Sequence, residues 1–278
     1  MKNKTTYLLA TIFTFFFTFV SCSDSEDQIP ATPDPVVSNT NVLPLVTGNY
    51  WKYDVVTPAT ATTPASTTKD SLYVENDMVI NTIVYKKMKT RNAPTGFFCN
   101  FLNNNGLRVD GKKIKISGTV NYGTGLPIPI VINISDFIIV DEIATSGTQL
   151  STTSGTFSQT VGGYLITFDY TLRSLADGVL PTYTVYGKTY SDLTKTKIIV
   201  NLKAMTTISV GGFPIPITVM NPQDVVVSNQ YYSKNIGVVH NHTVTSYQLN
   251  SLPGGVTLPI PSSGTQTQDD FLDTYLTL

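Results

Sequence analysis

Two-residue alternation of apolar and polar side chains runs through most of the chain, which predicts half-buried β-strands. In KIIVNLKAMTTISVGGFPIPITVM, residues 197–220, the apolar positions are even before Gly211-Gly212 (Ile198, Val200, Leu202, Ala204, Ile208, Val210) and odd after it (Phe213, Ile215, Ile217, Val219). A two-residue turn demands that switch of parity: it sets Val210 against Phe213, Ile208 against Ile215 and Ala204 against Val219. GTFSQTVGGYLITFDY, residues 155–170, turns in the same way at Gly162-Gly163 and opposes Phe157 to Phe168. KIKISGTVNYGTGLPIPIVINI, residues 113–134, keeps its apolar positions even throughout. A three-residue loop, Gly123 to Gly125, then opposes Tyr122 to Leu126 and Val120 to Ile128.

In these registers Pro127, Pro129, Pro214 and Pro216 fall at non-hydrogen-bonded sites, so their missing N–H groups cost the hairpins nothing. They leave an outer edge that a second chain cannot pair with, an edge-strand protection. The rival reading is that the apolar tips GLPIPI and GGFPIPI touch a partner, a glycan or the membrane, with Leu126, Ile128, Phe213 and Ile215 as the contact residues. Helical periodicity is nearly absent, with a short turn expected near Leu172 to Asp177. Phe271, Leu272, Tyr275 and Leu276 fit a short amphipathic helix or a last strand equally well. Together these patterns predict an all-β, antiparallel, hairpin-rich fold, a cupped sheet or half-barrel or sandwich, built as one domain over residues 42–278.

The first 21 residues depart from that pattern. Lys2 and Lys4 precede an apolar run from Tyr7 to Val20, the length of a signal peptide and too short to span a membrane. The run ends Phe19-Val20-Ser21-Cys22, which resembles a bacterial lipobox. That resemblance implies that Cys22 becomes the first mature residue and carries acyl chains, so the expected partner is a membrane, reached through a lipid anchor. Ser23, Asp24, Ser25, Glu26 and Asp27 resemble the acidic export signal of Bacteroidetes-type lipoproteins, which implies the outer membrane and its outward face. Residues 22–41 then form a proline-containing tether with no packing pattern.

Pro44-Leu45-Val46-Thr47-Gly48-Asn49-Tyr50-Trp51-Lys52-Tyr53 resembles the opening strand of a loosely defined group of uncharacterised Bacteroidetes-type outer-membrane or surface lipoproteins, of the form P-L-x-x-G-x-x-W-x-Y. VYGKTYSDL, residues 185–193, and YYSKNIGVV, residues 231–239, are similar to the same group. There Asn235 stands where the group has glycine, and asparagine tolerates positive φ best after glycine. The resemblance implies a cupped antiparallel sheet and no agreed activity. Trp51 and Tyr53 alternate onto one face as core anchors.

Chemistry is sparse. Charged residues make up 13% of the chain; loss of residues 1–21 removes Lys2 and Lys4 and no acid, leaving 16 basic and 19 acidic side chains, a net charge of −3. That balance predicts no nucleic-acid partner. Besides Cys22 only Cys99 carries a thiol, in GFFCNF, and it reads as an inert core residue. His240 and His242 share a strand face and offer two metal ligands, but no CxxC or HExxH motif supplies more. Asp136, Asp141 and Glu142 are near enough in sequence for an acid–base pair or a calcium site. No catalytic set and no cofactor is expected. The preferred function is a non-catalytic binding or structural module, with glycan or protein as ligand; the alternative is a hydrolase or lipid carrier with its site in the concavity of the sheet.

Overall fold

The computed structural model describes residues 42–60, 64–210, 212–253 and 257–278; Cys22 and the acidic run Ser23 to Asp27 lie outside them. Twelve strands form one antiparallel sheet among the described residues: β1 (Tyr50–Thr57), β2 (Ser66–Ile80), β3 (Ile83–Thr90), β4 (Gly106–Asp110), β5 (Lys113–Tyr122), β6 (Ile130–Asp141), β7 (Gln149–Val161), β8 (Tyr164–Val185), β9 (Lys188–Val210), β10 (Phe213–Ser233), β11 (Gly237–Gln248) and β12 (Ser263–Leu276). The order β6-β5-β4-β3-β2-β1-β12-β11-β10-β9-β8-β7 makes every strand the neighbour of the next in sequence and joins β1 to β12. Only β6 and β7 lack that pairing. They approach closely enough for the Ile138 N–H to donate to Ser151 Oγ at 2.8 Å, and Ser174 Oγ donates to the Ile138 carbonyl. The sheet is thus a barrel closed everywhere except along this seam.

The predicted hairpins stand at two of three turns. Phe157 faces Phe168 and their rings stack at 4.9 Å. Ile208 faces Ile215, but a bulge beyond Thr218 brings Met220, not Val219, opposite Ala204. The third hairpin is corrected: Val120 faces Ile132 and Tyr122 faces Ile130, so residues 123–129 are a loop. The shift preserves parity, so the apolar face stays inward, and Val120, Ile130 and Ile132 are all buried. Pro127 and Pro129 therefore lie outside any strand and guard no edge. Pro214 and Pro216 do guard one: β10 pairs with β11 only from Val226 onward, and before Asn250 bonds the carbonyls of Thr218 and Val219 the tip from Phe213 to Ile217 has no strand on that side among the described residues.

Leu172 to Asp177, expected to turn helically, lies inside β8, and the C-terminal segment is a strand, β12. The helix sits elsewhere. FFCNFL forms α1 (Phe97–Leu102) inside the barrel, with Phe97, Phe98, Cys99, Phe101 and Leu102 buried. A helix apolar at every position but Asn100 must be enclosed, and this one fills the space that a twelve-stranded wall leaves. Phe98 meets Tyr53 and Tyr232 edge-on, and Phe97 meets Tyr122 at 5.0 Å. Trp51 and Tyr53 are fully buried, as the sequence predicts; the Trp51 indole donates to the Ile236 carbonyl and Tyr53 Oη to that of Val238. Asn235 takes φ 63°, as its place in the motif predicts.

Candidate functional site

The first N–H groups of a helix lack partners in the helix itself, and when buried they must find them nearby. Two strands do so here. Asp70 of β2 accepts from the N–H of Thr95 at 3.0 Å and of Gly96 at 2.8 Å; Gln268 Oε1 of β12 accepts from Phe97 N and Asp270 Oδ2 from Phe98 N at 3.1 Å. Asn241 Nδ2 also donates to Asp270, and its Oδ1 accepts from Ser228 Oγ. Burial pushes the Asp270 carboxyl up to about 7, and the nearby Asp70 carboxylate adds to the rise, against the bonds from Phe98 and Asn241. Its Oδ1 has no hydrogen-bond partner among the described residues and lies against Gly96, where a Cβ would stand 2.6 Å away. Burial likewise drives the Cys99 thiol well above its usual range. These groups hold a plug in place, and a buried thiol kept protonated is a poor nucleophile.

The histidines sit on the opposite, outer face. Their neighbours are brought by β12 and by the far end of the β8–β9 hairpin. That hairpin stops pairing with β10 at Leu193, and its tip, Tyr186-Gly187, turns with φ of 51° and 73°. The arm lies over the wall beside β10, β11 and β12. Asp269 Oδ1 accepts from His240 Nε2 and His242 Nδ1, both at 2.8 Å, and His240 Nδ1 is hydrogen-bonded to Tyr183 Oη, also at 2.8 Å. Tyr231, His240 and Phe271 stack in series, with Tyr183 on Tyr231 and Tyr186 on Phe271, the last two contacts each 4.5 Å. Lys188 of the arm donates to the carbonyls of Leu272 and Asp273, where β12 has parted from β11.

This chain of tyrosine, imidazole and carboxylate has the connectivity of an acid–base relay, but its electrostatics run the other way. Burial and the neighbouring Tyr231 and Asp269 push Tyr183 up to about 12, so it stays a phenol. Burial alone would raise Asp269, yet the two imidazole bonds outweigh it and hold the carboxyl below its ordinary value. Both His240 nitrogens are engaged, and no group of three or more ligating side chains with metal-binding geometry occurs among the described residues. The cluster docks the arm.

The acids near the end of β6 do not converge. Asp136 accepts a bidentate pair from Arg108 and a bond from Tyr85 Oη, and the Arg108 bonds hold it at about 2. Asp141 faces Lys113 at 3.7 Å and Glu142 faces Lys112 at 3.8 Å, two separate pairs of largely buried carboxylates with exposed lysines.

The apolar tips part company. Leu126 and Ile128 fold inward with Val161, Phe168, Tyr247 and Ile260 and close one end of the barrel around a void of about 30 Å³. Ile128 is 8% exposed, whereas Phe213 and Ile215, at the overhanging β9–β10 tip, are 74% and 42% exposed. A second void beside α1 holds about 10 Å³. Ligand pockets for small molecules run to several hundred Å³, so the described interior offers no room for an acyl chain or a sugar. The comparisons with protein families, with curated proteins and with solved structures found no match to this chain.

Proposed function

We propose that this chain is a lipid-anchored recognition module of the outer membrane, displayed on the cell surface and acting by binding. Cys22 is the acylated residue, Ser23 to Asp27 the export signal, and residues 22–41 the tether that carries the barrel clear of the lipid. The observation that carries the binding reading is the packed interior: helix α1 and the Leu126 to Ile128 plug occupy it, so a ligand is met on the outside. The exposed apolar pair Phe213 and Ile215, side by side beyond a closed barrel mouth, favours a protein partner, whose interface core would cover both side chains. The tyrosine that would have to act as a nucleophile is held as a phenol, which weighs against a hydrolase.

The test compares wild-type protein with Phe213→Asp and Ile215→Asp in a pull-down from outer-membrane extract and on a glycan array. Both side chains are exposed, so the variants keep the fold. Loss of a captured protein in both variants is expected. Capture unchanged by either substitution removes this surface, glycan binding would make the ligand a sugar, and turnover abolished by His240→Ala would make the protein an enzyme. Anchoring is read separately: an alkyne fatty acid should label wild type and not Cys22→Ser.

A further inference from the structure

Strand β7 is one of the two edges that keep the barrel from closing, and its unpaired side follows from its turn. The Val161–Tyr164 pair closes a two-residue loop and is hydrogen-bonded. Counting back by twos, Gln159, Phe157, Gly155 and Thr153 therefore bond β8, and Thr160, Ser158, Thr156, Ser154 and Thr152 turn their N–H and C=O groups away from it. Those five have no backbone partner on that side among the described residues, and all five side chains are exposed.

Exposed strand edges are ordinarily blocked by lysine, proline, inward charge or a bulge. The edge of β10 carries Pro214 and Pro216, and β6 is broken by a positive φ at Asp136, whose carboxylate is paired with Arg108. Residues 149–161, QLSTTSGTFSQTV, contain no proline and no charged side chain. The five outward positions read Thr, Ser, Thr, Ser, Thr, the same in both directions about Thr156.

We infer that this edge pairs with β7 of a second copy of the chain, antiparallel across a two-fold axis at Thr156. Thr152 then faces Thr160 and Ser154 faces Ser158, so every cross-strand pair joins like hydroxyl side chains of matching size with no charge opposed. Alternate residues of an antiparallel pair exchange two bonds each, so the join makes about ten main-chain hydrogen bonds. On the other face, Phe157 of each copy comes beside Gly155 of the other, next to the Tyr170 ring that already covers that glycine. A foreign extended peptide would use the same backbone groups, but only a second β7 meets the palindrome.

The test is a cross-link in membranes of cells producing the full-length chain. At the axis the two Cα atoms of residue 156 lie about 5.5 Å apart, within reach of a disulfide. Mild oxidation should convert Thr156→Cys to a homodimer and leave Thr167→Cys, exposed on β8 but paired on both sides, as monomer. In parallel, sedimentation of the purified full-length chain should give twice the chain mass for wild type and a single mass for Thr156→Lys. Thr156→Pro, whose lost N–H serves only the join, is the second variant and should also be monomeric. Wild type at the single mass, no homodimer from Thr156→Cys, a dimer that survives both substitutions, or Thr156→Cys joined to a different protein would each overturn the inference.

Discussion

Asp270 gives the sharpest quantitative consequence of enclosing a helix in a barrel. Its carboxyl is fully buried, takes bonds from Phe98 N and Asn241 Nδ2, and titrates at about 7. An unfolded chain releases the same proton near pH 3.9. Between those values the folded state holds the proton and the unfolded state does not, so stability falls as pH rises. It is fully present below about pH 4 and lost through pH 7. Each unit of difference corresponds to about 1.4 kcal/mol. Between pH 5 and pH 8 the wild type should therefore lose roughly 2.5 kcal/mol through this one group, the remainder of the roughly 4 kcal/mol having been lost already below pH 5. Asp270→Asn keeps the size and the acceptor and has nothing to titrate. Urea unfolding followed by the fluorescence of Trp51, the single tryptophan and fully buried, reads both proteins on one scale. The gap between them should change by about 2.5 kcal/mol from pH 5 to pH 8 in favour of the variant at the alkaline end. Curves that run parallel across this range would show that Asp270 is ionised or solvated in the folded protein, and the account of how α1 is held would fail with it.

Gly96→Ala places a Cβ within 2.6 to 2.9 Å of both Asp270 carboxylate oxygens, at the first turn of α1. The expected cost is about 2 kcal/mol or more, as for other overpacked sites, measured as a lower urea midpoint at unchanged slope. Tyr183→Phe and Lys188→Met each remove arm-to-wall bonds while leaving the β8–β9 ladder intact. Amide hydrogen exchange should speed up at residues 179–192 by about five- to tenfold, from a bond worth about 1 kcal/mol, with β1 to β3 unchanged. Exchange as slow as in wild type would mean that the stacked rings alone hold the arm.

The alternation of side chains determined more than the fold class. The parity switch at Gly162-Gly163 and at Gly211-Gly212 set the turns and the pairs Phe157 with Phe168 and Ile208 with Ile215, because a two-residue turn admits one register. The same pattern was mute where the loop length was free. Pairing Val120 with Ile128 or with Ile132 buries the same face, so parity cannot choose between them; in the fold Leu126, Pro127 and Ile128 turn in beside Val161 and Tyr247 and do not extend the strand. Phe97 to Leu102 carried no periodic signal, since a six-residue helix apolar at every position but Asn100 is stable only inside a wall built by residues far along the chain. The two histidines were visible as a spacing, yet their meaning came from Asp269 on the next strand and from Tyr183, brought over by a hairpin arm. Closure itself joins Tyr50 to Leu276. Local period fixes which face of a strand is apolar; which strands meet, what fills the space between them and which edge is left open depend on contacts whose energy appears only once the whole sheet has curled.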